Sequence, residues 1–276
     1  MDWLALKESK FGVGLRRPHF DAIFETHEGV DFLEILPENF MDFGGRVHEI
    51  LARAKEVFPI VTHGVSLSLA GIDPLNETYL KNLKAFLEWL RPPWFSDHLS
   101  ASSGHGVEYH DLLPFPYSRE ALKHVADRIK EVQERICLPF LIENPSTYML
   151  LPGEMSEIEF LCTLLEDAEC GLLLDVNNVF VNSRNHDFDP YAYIDAIPAE
   201  RVLQMHIAGH DASGPFLIDT HGAPISEEVF ALYVYALKHC GPVWTLLEWD
   251  NDIPSLDILL AENTKVRKMA GVAHVS

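Results

Sequence analysis

The apolar run Leu138-Pro139-Phe140-Leu141-Ile142 ends abruptly on Glu143 and Asn144. An ionised carboxylate closing a buried run is costly unless a cation or a fixed base meets it. The same figure recurs along the chain. Glu34 lies in Asp31-Phe32-Leu33-Glu34-Ile35-Leu36, and His63 closes Pro59-Ile60-Val61-Thr62. His98 ends the run from Trp94, Asp175 the run from Gly171, His206 the run from Val202, and Glu248 the run from Pro242. Asp219-Thr220-His221 adds an acid and an imidazole two residues apart, a spacing that puts both on one side of an extended segment. Asn177 and Asn178 follow Asp175; asparagine there is ordinary turn chemistry, yet an amide oxygen can also ligate a hard metal. Imidazoles and carboxylates without thiolate suit iron, manganese or a zinc cluster and exclude a cysteine-type structural zinc site.

Taken singly, His63 or His98 reads as a core histidine bonded to a carbonyl, and Glu143 or Asp175 as the partner of an arginine. Near the strand ends, however, the only arginines are Arg16 and Arg17, too few for four acids. Repulsion among carboxylates gathered in one cavity then calls for cations. Of His206 and His210, the first sits at a strand end and the second in the loop that also holds Asp211. Glu34, Asn177, His210 and Asp211 are therefore expected around the ligands rather than among them.

These residues need elements that bring their ends together. Strands are predicted at Phe11 to Leu15 and at the seven runs ending with or near the residues above. Helices are predicted for Pro18 to His27, Val47 to Val57, Asn76 to Leu90, Arg119 to Arg135, Ser156 to Asp167, residues 189–196, Ser226 to His239 and Ile253 to Met269. Ser156 with Glu159 forms a capping-box pattern. Ala101 to Pro116 reads as a long polar loop, a length that in compact domains is often functional. Eight apolar strands alternating with helices across residues 1–276 predict one α/β domain, a (β/α)8 TIM barrel. In such barrels the C-terminal ends of the strands form the active-site face. Seven consecutive strands would thus deliver an acid or an imidazole to one mouth. An open doubly wound sheet would need a glycine-rich phosphate turn for a nucleotide role, and the chain has neither G-x-G-x-x-G nor a P-loop.

The chain carries 42 acids against 21 Lys and Arg, a net charge of −21, which makes nucleic acid a poor partner. No apolar run approaches a membrane span. The start, Met1 to Lys7, lacks the basic-then-apolar pattern of a secretory signal, so a cytoplasmic location is expected. Cys137, Cys162, Cys170 and Cys240 form no C-x-x-C and are expected to be buried thiols.

His63-Gly64-Val65-Ser66-Leu67-Ser68 with Asp73-Pro74, Ser96-Asp97-His98-Leu99, Asp111 to Tyr117, Ile142-Glu143-Asn144-Pro145, Leu174 to Val179, His206 to His210, Asp219-Thr220-His221 and Leu247-Glu248 together resemble the multinuclear non-haem iron-dependent oxidases, whose best-known member works in methanobactin biosynthesis. The resemblance runs from about Gly12 to Pro254. It implies a TIM barrel holding two or three iron ions and an oxidoreductase of natural product biosynthesis. It implies, too, that dioxygen is consumed to modify cysteine in a ribosomally made precursor peptide, with a small partner protein presenting the peptide. Carried over residue by residue, one iron falls on His63, His98 and Glu143, a second on Glu143, Asp175, His206 and Glu248, and a third on Asn178, Asp219 and His221. Glu143 then bridges, and Asn178 is chosen over Asn177. Two positions depart from the pattern: Trp249 stands where an Arg is expected, and Gly222 where a second acid is expected. The competing reading from the residues alone is a divalent-metal sugar isomerase or epimerase of the xylose-isomerase type.

Overall fold

The computed structural model describes residues 3–41 and 44–275. Met1 and Asp2, part of the stretch read for a signal, lie outside the described residues. Among the described residues ten strands are formed: β1 Lys10–Gly14, β2 Phe32–Ile35, β3 Ile60–Gly64, β4 Phe95–His98, β5 Ala101–Gly104, β6 Val107–Leu113, β7 Phe140–Glu143, β8 Gly171–Asp175, β9 Val202–Ile207 and β10 Trp244–Leu247. All but β5 and β6 close into a parallel barrel in the order β1-β10-β9-β8-β7-β4-β3-β2. The helices are α1 Arg46–Val57, α2 Glu77–Leu90, α3 Arg119–Ile136, α4 Glu157–Ala168, α5 Val176–His186, α6 Pro190–Ala196, α7 Glu227–Cys240 and α8 Leu256–Val275. The TIM barrel expected from the alternation of apolar runs is the fold observed.

Side chains alternate between the two faces of a strand, and this period of two builds the site. Phe32, Val61, Trp94, Leu141, Leu173, Leu203, Trp244 and Leu246 pack with Trp3 into one apolar cluster. Two residues further along the same strands stand Glu34, His63, Glu143, Asp175 and Glu248. An apolar floor thus carries a polar layer directly above it. Parallel pairing sets His98 beside Glu143 and Asp175 beside His206. The opposite faces of the strands pack against the helices in a second, larger core. The capping box at Ser156 forms as predicted: Ser156 N–H donates to Glu159 Oε2 (2.9 Å), and Glu159 N–H to Ser156 Oγ (3.3 Å).

Four expectations are corrected. Pro18 to His27 is two short 3-10 turns, Arg17–His19 and Ala22–Phe24, not an α-helix. The stretch after His98 is not an irregular loop, because most of it forms the antiparallel hairpin β5–β6. Residues 176–186 are helical, immediately after Asp175, because its side chain accepts the Asn178 N–H and caps the helix in one step. Finally, only Cys170 and Cys240 are buried; Cys137 is exposed and Cys162 half-buried.

Candidate metal centre

The hydrogen bonds behind the histidines fix which nitrogen each presents. Ser96 Oγ–H donates to the Thr62 carbonyl (3.1 Å), so Ser96 Oγ accepts from His63 Nδ1–H (2.9 Å). The Gly64 carbonyl can only accept, so His98 Nδ1 carries the proton it donates there (3.0 Å). Both rings therefore turn a bare Nε2 lone pair inward. These two atoms lie 3.2 Å apart, and Glu143 Oε2 stands 2.9 Å from one and 3.0 Å from the other. With both imidazoles neutral, three acceptors face one point, an arrangement that only a cation or a proton relieves.

His206 is oriented the other way. Trp94 Nε1–H donates to Gln204 Oε1 (2.8 Å), which turns the Gln204 amide nitrogen toward Glu34 Oε2. The same carboxylate oxygen lies 3.1 Å from His206 Nε2 and accepts its proton. Nδ1 is left facing Glu248 Oε2 (2.9 Å), Glu143 Oε1 (3.3 Å) and Asp175 Oδ2 (4.0 Å). Glu34 is thus the carboxylate behind a candidate ligand, the arrangement that fixes tautomer and ring angle at metal sites.

A third group lies beside these two. His221 Nε2 is 2.6 Å from Asp219 Oδ1, and its Nδ1 is 3.3 Å from Glu248 Oε2. Asp219 is held by Asn177 Nδ2 (2.7 Å) and Ser146 Oγ (3.0 Å), and its N–H donates to the Tyr148 hydroxyl (2.9 Å). His210 Nδ1–H donates to Asn177 Oδ1 (2.9 Å) and so steadies the asparagine that steadies Asp219. Asn178 donates through Nδ2 to the Asn144 carbonyl (3.1 Å), leaving its Oδ1 free and buried. His221 has a positive φ of 46°, the sparsely populated left-handed region that functional residues often occupy.

Glu143 Oε2, Asp175 Oδ2, His206 Nδ1, Glu248 Oε2, Asn178 Oδ1 and His221 Nε2 are all buried without a hydrogen-bond partner. Orphans of this kind are rare in folded proteins, and here those of Glu143, Asp175, His206 and Glu248 lie together. Glu248 Oε2 lies 2.9 Å from His206 Nδ1 and 3.3 Å from His221 Nδ1, close to the distance of about 3 Å between neighbouring ligands on an ion held by bonds near 2.1 Å. His63, Glu143 and His206 offer atoms within 4.8 Å of one another, as do Glu143, Asp175, His206 and Glu248. The two sets share Glu143 and His206. The donor set, imidazole nitrogens with carboxylate and amide oxygens, fits iron as it fits manganese or zinc.

Without a cation the carboxylates and histidines lean on each other. Burial by itself would raise Glu143, but His98, His63 and His206 outweigh it and hold the carboxylate ionised. Burial, together with the charge of Glu143, pushes Asp175 up instead. Burial would lower His98, yet Glu143, Asp97 and the Gly64 carbonyl carry it up to about 9.

Among the residues anticipated around the ligands, Glu34, Asn177 and His210 reach them, directly or through one neighbour. Asp211 does not. It is exposed, bridges Ile218 through its backbone, and accepts the Ser213 N–H (2.8 Å) as a turn residue. The sequence reading missed Gln204, Trp94, Ser96, Asn144, Ser146 and Asp250. Asp250, with His221 and Glu248, forms a further group able to hold a cation. Of the two departures, Trp249 is core, 6% exposed, and Gly222 packs against Asn251, where a Cβ would lie 3.3 Å from its backbone oxygen. The guanidinium near Glu248 comes from Arg16, at 3.9 Å.

A family model described as RiPP precursor modification enzyme MbnB/TglH/ChrH matches residues 10–271. The chain belongs to this family. Relatives in it include a UPF0276 protein of Anaeromyxobacter sp. (strain Fw109-5), 44% identical over 95% of this chain and 93% of that protein. A UPF0276 protein of Acaryochloris marina is 45% identical over 91% of each. Among solved structures, a xylose isomerase domain protein from Alicyclobacillus acidocaldarius superposes with a TM-score of 0.64 over 96% of this chain and 99% of that chain, at 13% identity. At that identity the likeness concerns the fold alone. Family membership makes a RiPP precursor peptide the expected substrate class, and no helix among the described residues is long and apolar enough to cross a membrane.

Proposed function

We propose that this protein is an iron-dependent oxidase that uses dioxygen to modify cysteine in a ribosomally synthesised precursor peptide. The observation that carries the proposal is the convergence of bare, buried lone pairs at the barrel mouth, chiefly Glu143 Oε2 facing Nε2 of His63 and His98. His63, His98 and Glu143 would hold one ion. Glu143, Asp175, His206 and Glu248 would hold a second, and Asn178, Asp219 and His221 a third. Iron, when bound, supplies the redox chemistry by which dioxygen oxidises a thiolate, which zinc cannot do. The chain's part is to hold and orient. Glu34, anchored by Gln204, keeps the proton of His206 on Nε2, and Ser96 and Gly64 do the same for His63 and His98 on Nδ1. Glu143 spans two positions with its two oxygens. The apolar floor beneath keeps water from the underside of the ligands. A small partner protein presents the peptide, in keeping with the family.

The sugar isomerase reading rests on fold likeness at 13% identity, whereas the peptide reading rests on a family model covering most of the chain. The test is to incubate the iron-loaded protein with a cysteine-containing precursor peptide encoded beside it, with and without dioxygen. A mass change at the cysteine that requires both iron and dioxygen is expected. Turnover of free sugars with manganese or magnesium, and none of the peptide, would overturn the proposal.

A further inference from the structure

Arg16 and Arg17 follow β1 and are not among the candidate metal ligands described above. They line a cavity of about 220 Å3 at the barrel mouth, walled by Leu15, Phe20, Phe40 and Ile253. Drug-sized ligands occupy about 300–1,000 Å3, so this space suits one residue or a small acid. Arg16 is largely buried. Its Nη2 pairs with Asp250 and lies 3.9 Å from Glu248 Oε1, so one guanidinium forms the wall between the cavity and the metal centre. Its Nε is buried and has no hydrogen-bond partner. The guanidinium folds back against Gly14, where a Cβ would come within 3.1 Å of Nε. Arg17 is exposed, and among the described residues its side chain makes no ion pair or hydrogen bond. In a chain of net charge −21, two adjacent arginines with unused donors are a local exception.

We infer that this cavity is a subsite for a carboxylate, offered by the precursor peptide beside the residue to be modified. The inference rests on the peptide-modification reading for the identity of the ligand, and on the cavity for its chemistry. Arg16 is paired with Asp250, and Arg17 has no side-chain partner among the described residues. A guanidinium donates two parallel N–H bonds to the two oxygens of a carboxylate lying in its plane. The apolar walls receive the carbon chain attached to it. A phosphate dianion is the poorer match, because Asp250, Glu248 and Glu34 all act on Arg16 and would repel its second charge.

The test measures binding, not turnover, so it can fail separately from the oxidase proposal. The protein as isolated is titrated calorimetrically with N-acetylleucine, with N-acetylleucine amide and with inorganic phosphate. The acid is expected to bind at least about tenfold more tightly than the amide, the worth of a charge-assisted hydrogen bond. Arg17→Gln should weaken the acid by a similar factor while metal content and circular dichroism stay those of the parent. Asn39→Asp, which adds a negative charge on the exposed lining without removing an arginine, should weaken it as well. Equal binding of acid and amide, no effect of Arg17→Gln, or tighter binding of phosphate than of the acid would each overturn the inference.

Discussion

His63 turns a bare Nε2 toward Glu143 Oε2 at 2.9 Å, two lone pairs facing each other in a buried space. Such a pair is repulsive unless a cation or a proton sits between, and the same carboxylate shows its other oxygen to His206 at 3.3 Å. Glu143 is thus placed between two ligand groups, whereas Asp219 faces a single histidine, His221. Glu143→Gln should therefore lose more bound metal than Asp219→Asn, as read by elemental analysis of the purified variants. Equal losses would argue against the shared position of Glu143.

Glu34 should tune the centre without touching an ion. It accepts the proton of His206 Nε2 and is itself held by Gln204. Glu34→Ala is expected to weaken metal binding by about 10- to 100-fold, the usual cost of removing a partner behind a metal-bound histidine. A competition titration with a chelator measures this, and an unchanged affinity would show that the His206 tautomer is fixed by other means.

Trp94 reaches the centre through two further bonds. Its Nε1–H fixes the Gln204 amide, which in turn faces Glu34. Trp94→Phe leaves the buried Gln204 Oε1 unpaired and should destabilise the fold by about 1–3 kcal/mol. Chemical denaturation measures that loss, and a metal affinity that falls alongside stability would place the damage at Gln204 rather than in the apolar floor.

The metal-free protein should lose stability in alkali. Glu143, Asp97 and the Gly64 carbonyl outweigh the effect of burial and push His98 up to about 9. A histidine raised in the folded state contributes stability that is fully present below its unfolded pKa of about 6.5 and is lost as pH rises through about 9. The melting temperature of the metal-free protein should fall between those limits, and metal loading near pH 7.5 should release protons into unbuffered solution. A melting temperature flat across that range would remove His98 as the proton carrier.

Asp211 provides the negative case. Its carboxylate serves the turn at Ser213. Asp211→Ala should leave metal content unchanged, and a loss of metal would mean that the exposed loop carries a ligand.

The strand endings were legible because period two ties each inward acid or imidazole to the apolar residue two positions before it. Phe32 to Glu34, Val61 to His63 and Leu141 to Glu143 can be read without coordinates. The hairpin β5–β6 was not legible, because β6 is mostly exposed and its polar alternation resembles a loop. Helix α5 was hidden by Asn177 and Asn178, whose turn preference is overridden when Asp175 caps the helix and Asn144 binds both sides of the Asp175 backbone. Gln204 gave no signal at all. Its meaning depends on Glu34, 170 positions away, and on Trp94, and only the closed barrel brings the three together. Arg16 was noticed as an arginine near a strand end, but its pairing with Asp250 across the β1–β10 seam follows from closure of the barrel.

The proposed function requires several iron ions around Glu143 at the barrel mouth. Anaerobic purification from iron-replete cells, followed by anomalous diffraction at the iron edge, tests it most directly. About two or three iron peaks per chain are expected, two of them on either side of the Glu143 carboxylate. A single peak, or zinc or manganese in its place with no activation by iron, would contradict it.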